Sequence, residues 1–137
     1  MTAYLLDTDI CIYVIRKRPA EVLRRFAQHS PDDIAVSAIT LFELQFGIEK
    51  SRHKEQSRDA LAKFMQPLVV LDLDSAAASD AANMRSELEG RGTPIGPYDL
   101  LIAATARSKQ RTLVSNNTEA FARIGNLQIE NWAETTR

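Results

Sequence analysis

The chain has 137 residues and a net charge of -1, and its 45% hydrophobic, 26% charged make-up suits a globular protein with one buried core. Near-neutral charge excludes a broadly basic nucleic-acid coat, so any nucleic acid must be held by local Lys/Arg clusters or through a metal. The lone Cys11 excludes an internal disulfide and fits a reducing cytosol, no apolar run approaches the roughly 20 residues of a membrane span, and Asp7 and Asp9 break what would be a signal-peptide core. One cytoplasmic domain over residues 1–137, with no membrane partner, is the expectation.

Tyr4–Leu6 reads as a first strand, followed from Asp7 or Thr8 by a helix in which Ile10, Cys11, Val14 and Ile15 recur at helical spacing. Arg16-Lys17-Arg18-Pro19 ends it with cations in the last turn. Ala20–His29 repeats the pattern, Ser30–Asp33 is a turn, and Ile34–Ser37 is a second short strand. Thr40–Lys50 predicts a helix apolar on two sides: Leu41, Leu44 and Ile48 form one stripe, Phe42 and Phe46 another. Such a helix is buried twice over, or offers one side to a partner.

A polar connection over Ser51–Lys54 leads to a helix over Glu55–Met65, a third strand over Leu68–Leu71 and an Ala-rich helix over Asp72–Leu88. Gly90–Pro97 is a long irregular loop stiffened by two prolines, and loops of that kind in small domains tend to be functional. Tyr98–Lys109 is a strongly apolar helix, Thr112–Ser115 a fourth strand, Asn116–Arg123 a short helical segment and Leu127–Ile129 a fifth strand before Trp132. Strands alternating with helices predict a parallel sheet of about five strands covered on both faces, a three-layer α/β/α fold.

Asp7, Glu43 and Asp99 all fall where a strand or loop hands over to a helix, at the same end of the expected sheet, where open α/β folds place their ligand crevice. Each has a plain structural explanation. Asp7 suits a helix cap, Thr40-x-x-Glu43 fits a capping box, and Asp99 behind Pro97 complements a helix dipole. Together, however, three gathered carboxylates repel one another unless a cation neutralises them. Oxygen donors without Cys or His nearby select Mg²⁺ or Mn²⁺ over zinc. His29 and His53 lie in polar stretches and are expected at the surface, which removes histidine-based nucleophilic catalysis. Asp9, two residues past Asp7, is expected to support the site or to face solvent.

Leu5-Leu6-Asp7-Thr8-Asp9-Ile10, Ser37-x-x-Thr40-x-x-Glu43-Leu44-x-x-Gly47, Ile95-Gly96-Pro97-Tyr98-Asp99-Leu100-Leu101-Ile102-Ala103-Ala104 and Leu113-Val114-Ser115-Asn116-Asn117 occur in that order. Together they resemble the PIN-domain ribonuclease toxins of bacterial type II toxin–antitoxin pairs, the VapC group, over essentially the whole chain. The resemblance implies metal-dependent endonucleolytic cleavage of RNA, plausibly in a tRNA anticodon loop, leaving 5′-phosphate and 3′-hydroxyl ends. Asp7 and Asp99 would bind Mg²⁺ or Mn²⁺, and Glu43 would complete the cluster directly or through water. Thr8, Ser115, Asn117 and Glu119 are further residues for metal contact or its support.

The sequence departs from the family at Asn117, where many relatives carry Asp. Either Glu119 compensates, or one metal is held tightly and a second arrives with substrate. Arg16, Lys50, Arg85 and Arg91 are the candidates for RNA phosphates. Ile12, Tyr13, Phe42 and Phe46 are the candidates for a groove that takes an amphipathic segment of a VapB-type antitoxin. The resemblance also implies a homodimer or a toxin–antitoxin hetero-oligomer. Two alternatives stand beside it. One is a PIN-like binding module without catalysis. The other is a haloacid-dehalogenase-like phosphatase, with Asp7 as nucleophile and Asp9 as acid/base.

Overall fold

A computed structural model describes residues 3–134. Five parallel strands, β1 (Tyr4–Leu6), β2 (Ile34–Ser37), β3 (Val69–Leu71), β4 (Thr112–Val114) and β5 (Ile129–Glu130), lie in the order β3-β2-β1-β4-β5. The chain adds strands to one side of β1 and then returns to add β4 and β5 on the other. The order therefore reverses at β1, and the crevice of such a sheet opens at the carboxyl ends of β1 and β4.

Seven helices cover the sheet: α1 (Thr8–Arg16), α2 (Ala20–Ala27), α3 (Ala38–Glu49), α4 (Lys54–Met65), α5 (Ser75–Gly90), α6 (Pro97–Ser108) and α7 (Thr118–Phe121). Side chains alternate across each strand, so one chain feeds two cores. Tyr4 and Leu6, with Val36 and Val114, pack against Ile10, Val22, Leu44 and Leu61 of α1 to α4. Leu5, Ala35 and Leu113 face the other way, onto Met84, Leu88, Ile102 and Phe121 of α5 to α7. Small residues such as Ala81 and Ala103 let α5 and α6 approach closely. The three-layer α/β/α arrangement is the one the pattern predicts.

Several details differ from expectation. Helix α3 starts at Ala38, because Ser37 Oγ accepts the Thr40 N–H at 3.0 Å and caps the helix three residues before Thr40 would. β5 forms at Ile129–Glu130, slightly later than the apolar run suggests. The sheet is not covered evenly, since Val69 and Val70 on edge strand β3 are 43% and 39% exposed. His29 is no surface histidine. Its ring stacks on the fully buried Trp132 at 5.1 Å and meets Tyr4 at 4.5 Å, closing the end of the chain onto β1, while His53 is exposed as expected.

Candidate active site

In the sheet register Leu6 pairs with Val36 on one side and Val114 on the other. One step further on, Asp7, Ser37 and Ser115 stand abreast at the carboxyl edge. The Asp7 N–H is fixed to the Val114 carbonyl at 2.8 Å. Its carboxylate is 5% exposed and held at both oxygens: Oδ1 accepts the Thr8 N–H at 2.8 Å, and Oδ2 accepts the Ser115 hydroxyl at 2.8 Å. Asp7 is thus the cap of α1 and also a buried acid. A surface cap would be comfortably ionised, whereas here burial pushes the carboxyl up to about 7. The charge of Asp9 adds to that rise, Asp99 adds less, and the Ser115 and Thr8 donors oppose it.

Glu43 does not close a capping box. Thr8 Oγ1 donates to Glu43 Oε1 at 2.7 Å and pairs with Thr40 Oγ1 at 3.0 Å, so the start of α1 draws the α3 acid toward Asp7. Asp99, half-buried in the first turn of α6, is raised by burial and then by the charge of Glu43. Asp9 is raised by burial and by Asp99, while the N–H groups of Asn116, Ile10 and Asp9 itself act against the rise. These influences link Asp7, Asp9 and Asp99, and the Glu43 charge acts on Asp99. Cys11, fully buried beneath them, has its thiol pushed up by burial and by Asp7 and Asp9, which keeps it protonated and inert.

Eight ion pairs occur among the described residues, and none involves Asp7, Asp9, Glu43 or Asp99. The cluster therefore has no neutralising Lys or Arg of its own among those residues. Its donors are all oxygens, and Asp9 Oδ1 is buried without a hydrogen-bond partner. Both facts fit a hard divalent cation. Among the described residues no three such side chains stand close enough to enclose an ion by themselves.

The remaining sequence candidates divide by position. Ser115 is buried and orients Asp7, and Thr8 orients Glu43. Asn117 is exposed; its N–H donates to Ser115 Oγ at 2.9 Å and its carbonyl accepts the Phe121 N–H at 3.4 Å, while Glu119 is exposed on α7. Arg16 shares a groove of about 390 Å³ with Glu43, Ile12, Ile15, Leu44 and Gly47, between α1, α3 and α4. Phe42 and Phe46 do not join Ile12 there. They lie on the other side of α3, stacked at 6.3 Å and lining a separate groove of about 620 Å³ with Leu41, Arg58 and Met65.

Tyr13 lines neither groove; its hydroxyl accepts from Asn116 Nδ2 at 3.2 Å. Lys50 sits over the Phe46 ring at 4.2 Å, Arg85 pairs with Glu89 at 2.6 Å, and Arg91 donates to the Glu87 and Arg123 carbonyls. Ser37, Thr40 and Asn116 are supporting residues that the sequence places in motifs without giving them these partners. Of these, Ser37 was detectable from its place at the end of the second strand.

An all-parallel sheet reversed at β1, with acids from β1, α3 and α6 at its carboxyl edge, defines a class, and the chain belongs to the PIN-domain family, whose model matches residues 4–127. It is 41% identical over 133 residues to the tRNA(fMet)-specific endonuclease VapC of Shigella flexneri, a match covering 97% of this chain and 100% of that one. It is 43% identical over 132 residues to ribonuclease VapC2 of Haemophilus influenzae, with 96% and 99% covered. A chain of the crystal structure of VapBC2 from Rickettsia felis, bound to a DNA fragment from their promoter, superposes with a TM-score of 0.90 at 40% identity, covering 96% of this chain and 99% of that one. The VapC group is the branch of the family that these likenesses define for it. A haloacid-dehalogenase-like phosphatase is thereby displaced.

Proposed function

We propose that this chain is the toxin of a type II toxin–antitoxin pair, an endoribonuclease that acts as a single PIN domain in the cytoplasm and requires Mg²⁺ or Mn²⁺. The observation that carries this is the cluster at the carboxyl edge of β1: a buried acid pushed up to about 7, adjoining acids from α1, α3 and α6, with no Lys or Arg paired to any of them among the described residues. The relatives named as ribonucleases and the VapBC assemblies support the same reading. The substrate is RNA, and a tRNA anticodon loop is the target proposed. A VapB-type antitoxin and a second copy of the chain are the partners.

Asp7 and Asp99 are the groups to hold the ion, with Glu43 acting directly or through water. Held by these carboxylates, a divalent ion would lower the pKa of a bound water and offset charge on the phosphodiester oxygens. The rest falls to the chain. The Thr8 N–H and Ser115 hydroxyl fix the Asp7 carboxylate in one orientation, and the Thr8 hydroxyl keeps Glu43 on the same side of the crevice. Arg16, in the groove that Glu43 also lines, is positioned to meet a phosphate next to the site. Unpaired bases of a loop are accessible to such an edge in a way that those of a duplex are not.

The test is incubation of antitoxin-free protein with total tRNA in Mg²⁺ or in EDTA, comparing wild type with Asp7→Ala. Discrete fragments are expected only from wild type with metal. Identical RNA patterns in every lane would overturn the assignment and leave a binding module without catalysis.

A further inference from the structure

Asn117 leaves the family's fourth acidic position without a charge, and Glu119 lies exposed on α7, where no hydrogen bond among the described residues ties it to the crevice. Asp9 lies elsewhere, and it is held. Its Oδ2 accepts the Asn116 N–H at 3.0 Å, across 107 residues of sequence. Asn116 is itself braced on both sides: its Nδ2 donates to the Tyr13 hydroxyl at 3.2 Å, and its Oδ1 accepts from Asn131 Nδ2 at 3.0 Å. Arg25 in turn donates to the Asn131 carbonyl at 3.1 Å, so the segment after β5 is anchored to α2.

The second oxygen of Asp9 is buried and makes no hydrogen bond among the described residues. A buried carboxylate oxygen without a partner is uncommon and calls for an explanation. Asn116 directly follows Ser115, whose hydroxyl donates to Asp7 Oδ2, so the loop that holds Asp9 also orients Asp7. Helix-dipole compensation accounts for an acid in the first turn of α1, but not for the loop that braces it through Asn116.

We infer that Asp9 supplies the fourth negative charge of the cation site in place of the acid absent at Asn117, with the Asn116 loop as the device that positions it. This rests on the metal-site reading above and extends it to a residue outside the Asp7, Glu43 and Asp99 set. Asp9→Asn keeps an oxygen for the Asn116 N–H and removes only the charge, so the local fold is retained.

The experiment is a Mn²⁺ titration of antitoxin-free protein by electron paramagnetic resonance at pH 7.5, on wild type, Asp9→Asn, Asp7→Asn and the double variant Asp9→Asn/Asn117→Asp. Asp9→Asn is expected to weaken Mn²⁺ binding about tenfold or more, with the metal-free unfolding midpoint no lower than wild type. Returning a carboxylate at 117 is expected to restore binding to within about threefold of wild type. Wild-type Mn²⁺ affinity in Asp9→Asn, with weakened affinity in Asp7→Asn, would overturn the role of Asp9 alone. So would a double variant as weak as the single one. If Asp7→Asn also binds Mn²⁺ like wild type, the metal site itself is misplaced, and the fault lies in the proposed function.

Discussion

Asp7→Asn sets stability against function in a way that can be measured. The Asp7 carboxyl is pushed up from 3.8 to about 7. A group whose folded-state value is raised leaves stability intact below its unfolded value, and the fold loses stability progressively as pH rises from 3.8 to about 7. At ~1.4 kcal/mol per pH decade, the ionised acid costs the metal-free fold about 4 kcal/mol above neutrality. Asparagine removes that cost yet still accepts the Thr8 N–H and is itself a good helix cap.

Urea unfolding in EDTA should therefore show Asp7→Asn more stable than wild type by about 2–4 kcal/mol at pH 8, the gap closing toward zero near pH 4. Asp9 and Asp99 are shifted the same way and are present in both proteins, so the difference reports Asp7 together with its coupling to them. Saturating Mg²⁺ should narrow the gap at pH 8, because a ligand that binds only the folded wild type stabilises it by mass action. A variant less stable than wild type at pH 8, or a gap that ignores pH, would refute the view that burial and crowding of charge govern this edge.

Three other outcomes follow from the geometry. Thr8→Ala releases Glu43 and should lower tRNA cleavage about ten- to a hundredfold, with Thr8→Ser close to wild type. Gly47→Leu projects into the groove between α1, α3 and α4 that holds the antitoxin candidate Ile12, where a Cβ meets nothing within 4 Å; with the antitoxin segment placed in that groove, it should leave the unfolding midpoint within about 1 kcal/mol of wild type while weakening antitoxin capture, read by calorimetry with a VapB-type peptide. Trp132→Ala empties a fully buried site against Tyr4 and His29 and should lower stability by about 3–5 kcal/mol in chemical denaturation, with the folded fraction still binding Mn²⁺.

Short-range patterns carried the fold well, because each strand is an apolar run bounded by turn residues and each helix has its own stripe. Asp7 was legible as the acid after the first strand. Glu43 was ambiguous, since Thr40-x-x-Glu43 imitates a capping box; only the true start at Ser37 moves the frame and frees the acid to meet Thr8. The two apolar stripes of α3 were visible, but nothing local says that Phe42 and Ile12 serve different grooves. His29 was misjudged, and the hold on Asp9 could not be foreseen, for one reason. Their partners, Trp132 and Asn116, lie more than a hundred residues away, and no periodicity reports a contact of that span.

The central position of β1 in the sheet also governs when the enzyme becomes dangerous. Leu5 is hydrogen-bonded in register with Leu113, so the first strand waits for nearly the whole polypeptide before its second neighbour exists. Pairings of such long sequence separation form slowly. Ser115, which orients Asp7, arrives with that late neighbour. A chain that ends before Thr112 therefore lacks both the second neighbour of β1 and the Ser115 hydroxyl that orients Asp7, and is expected to leave RNA intact.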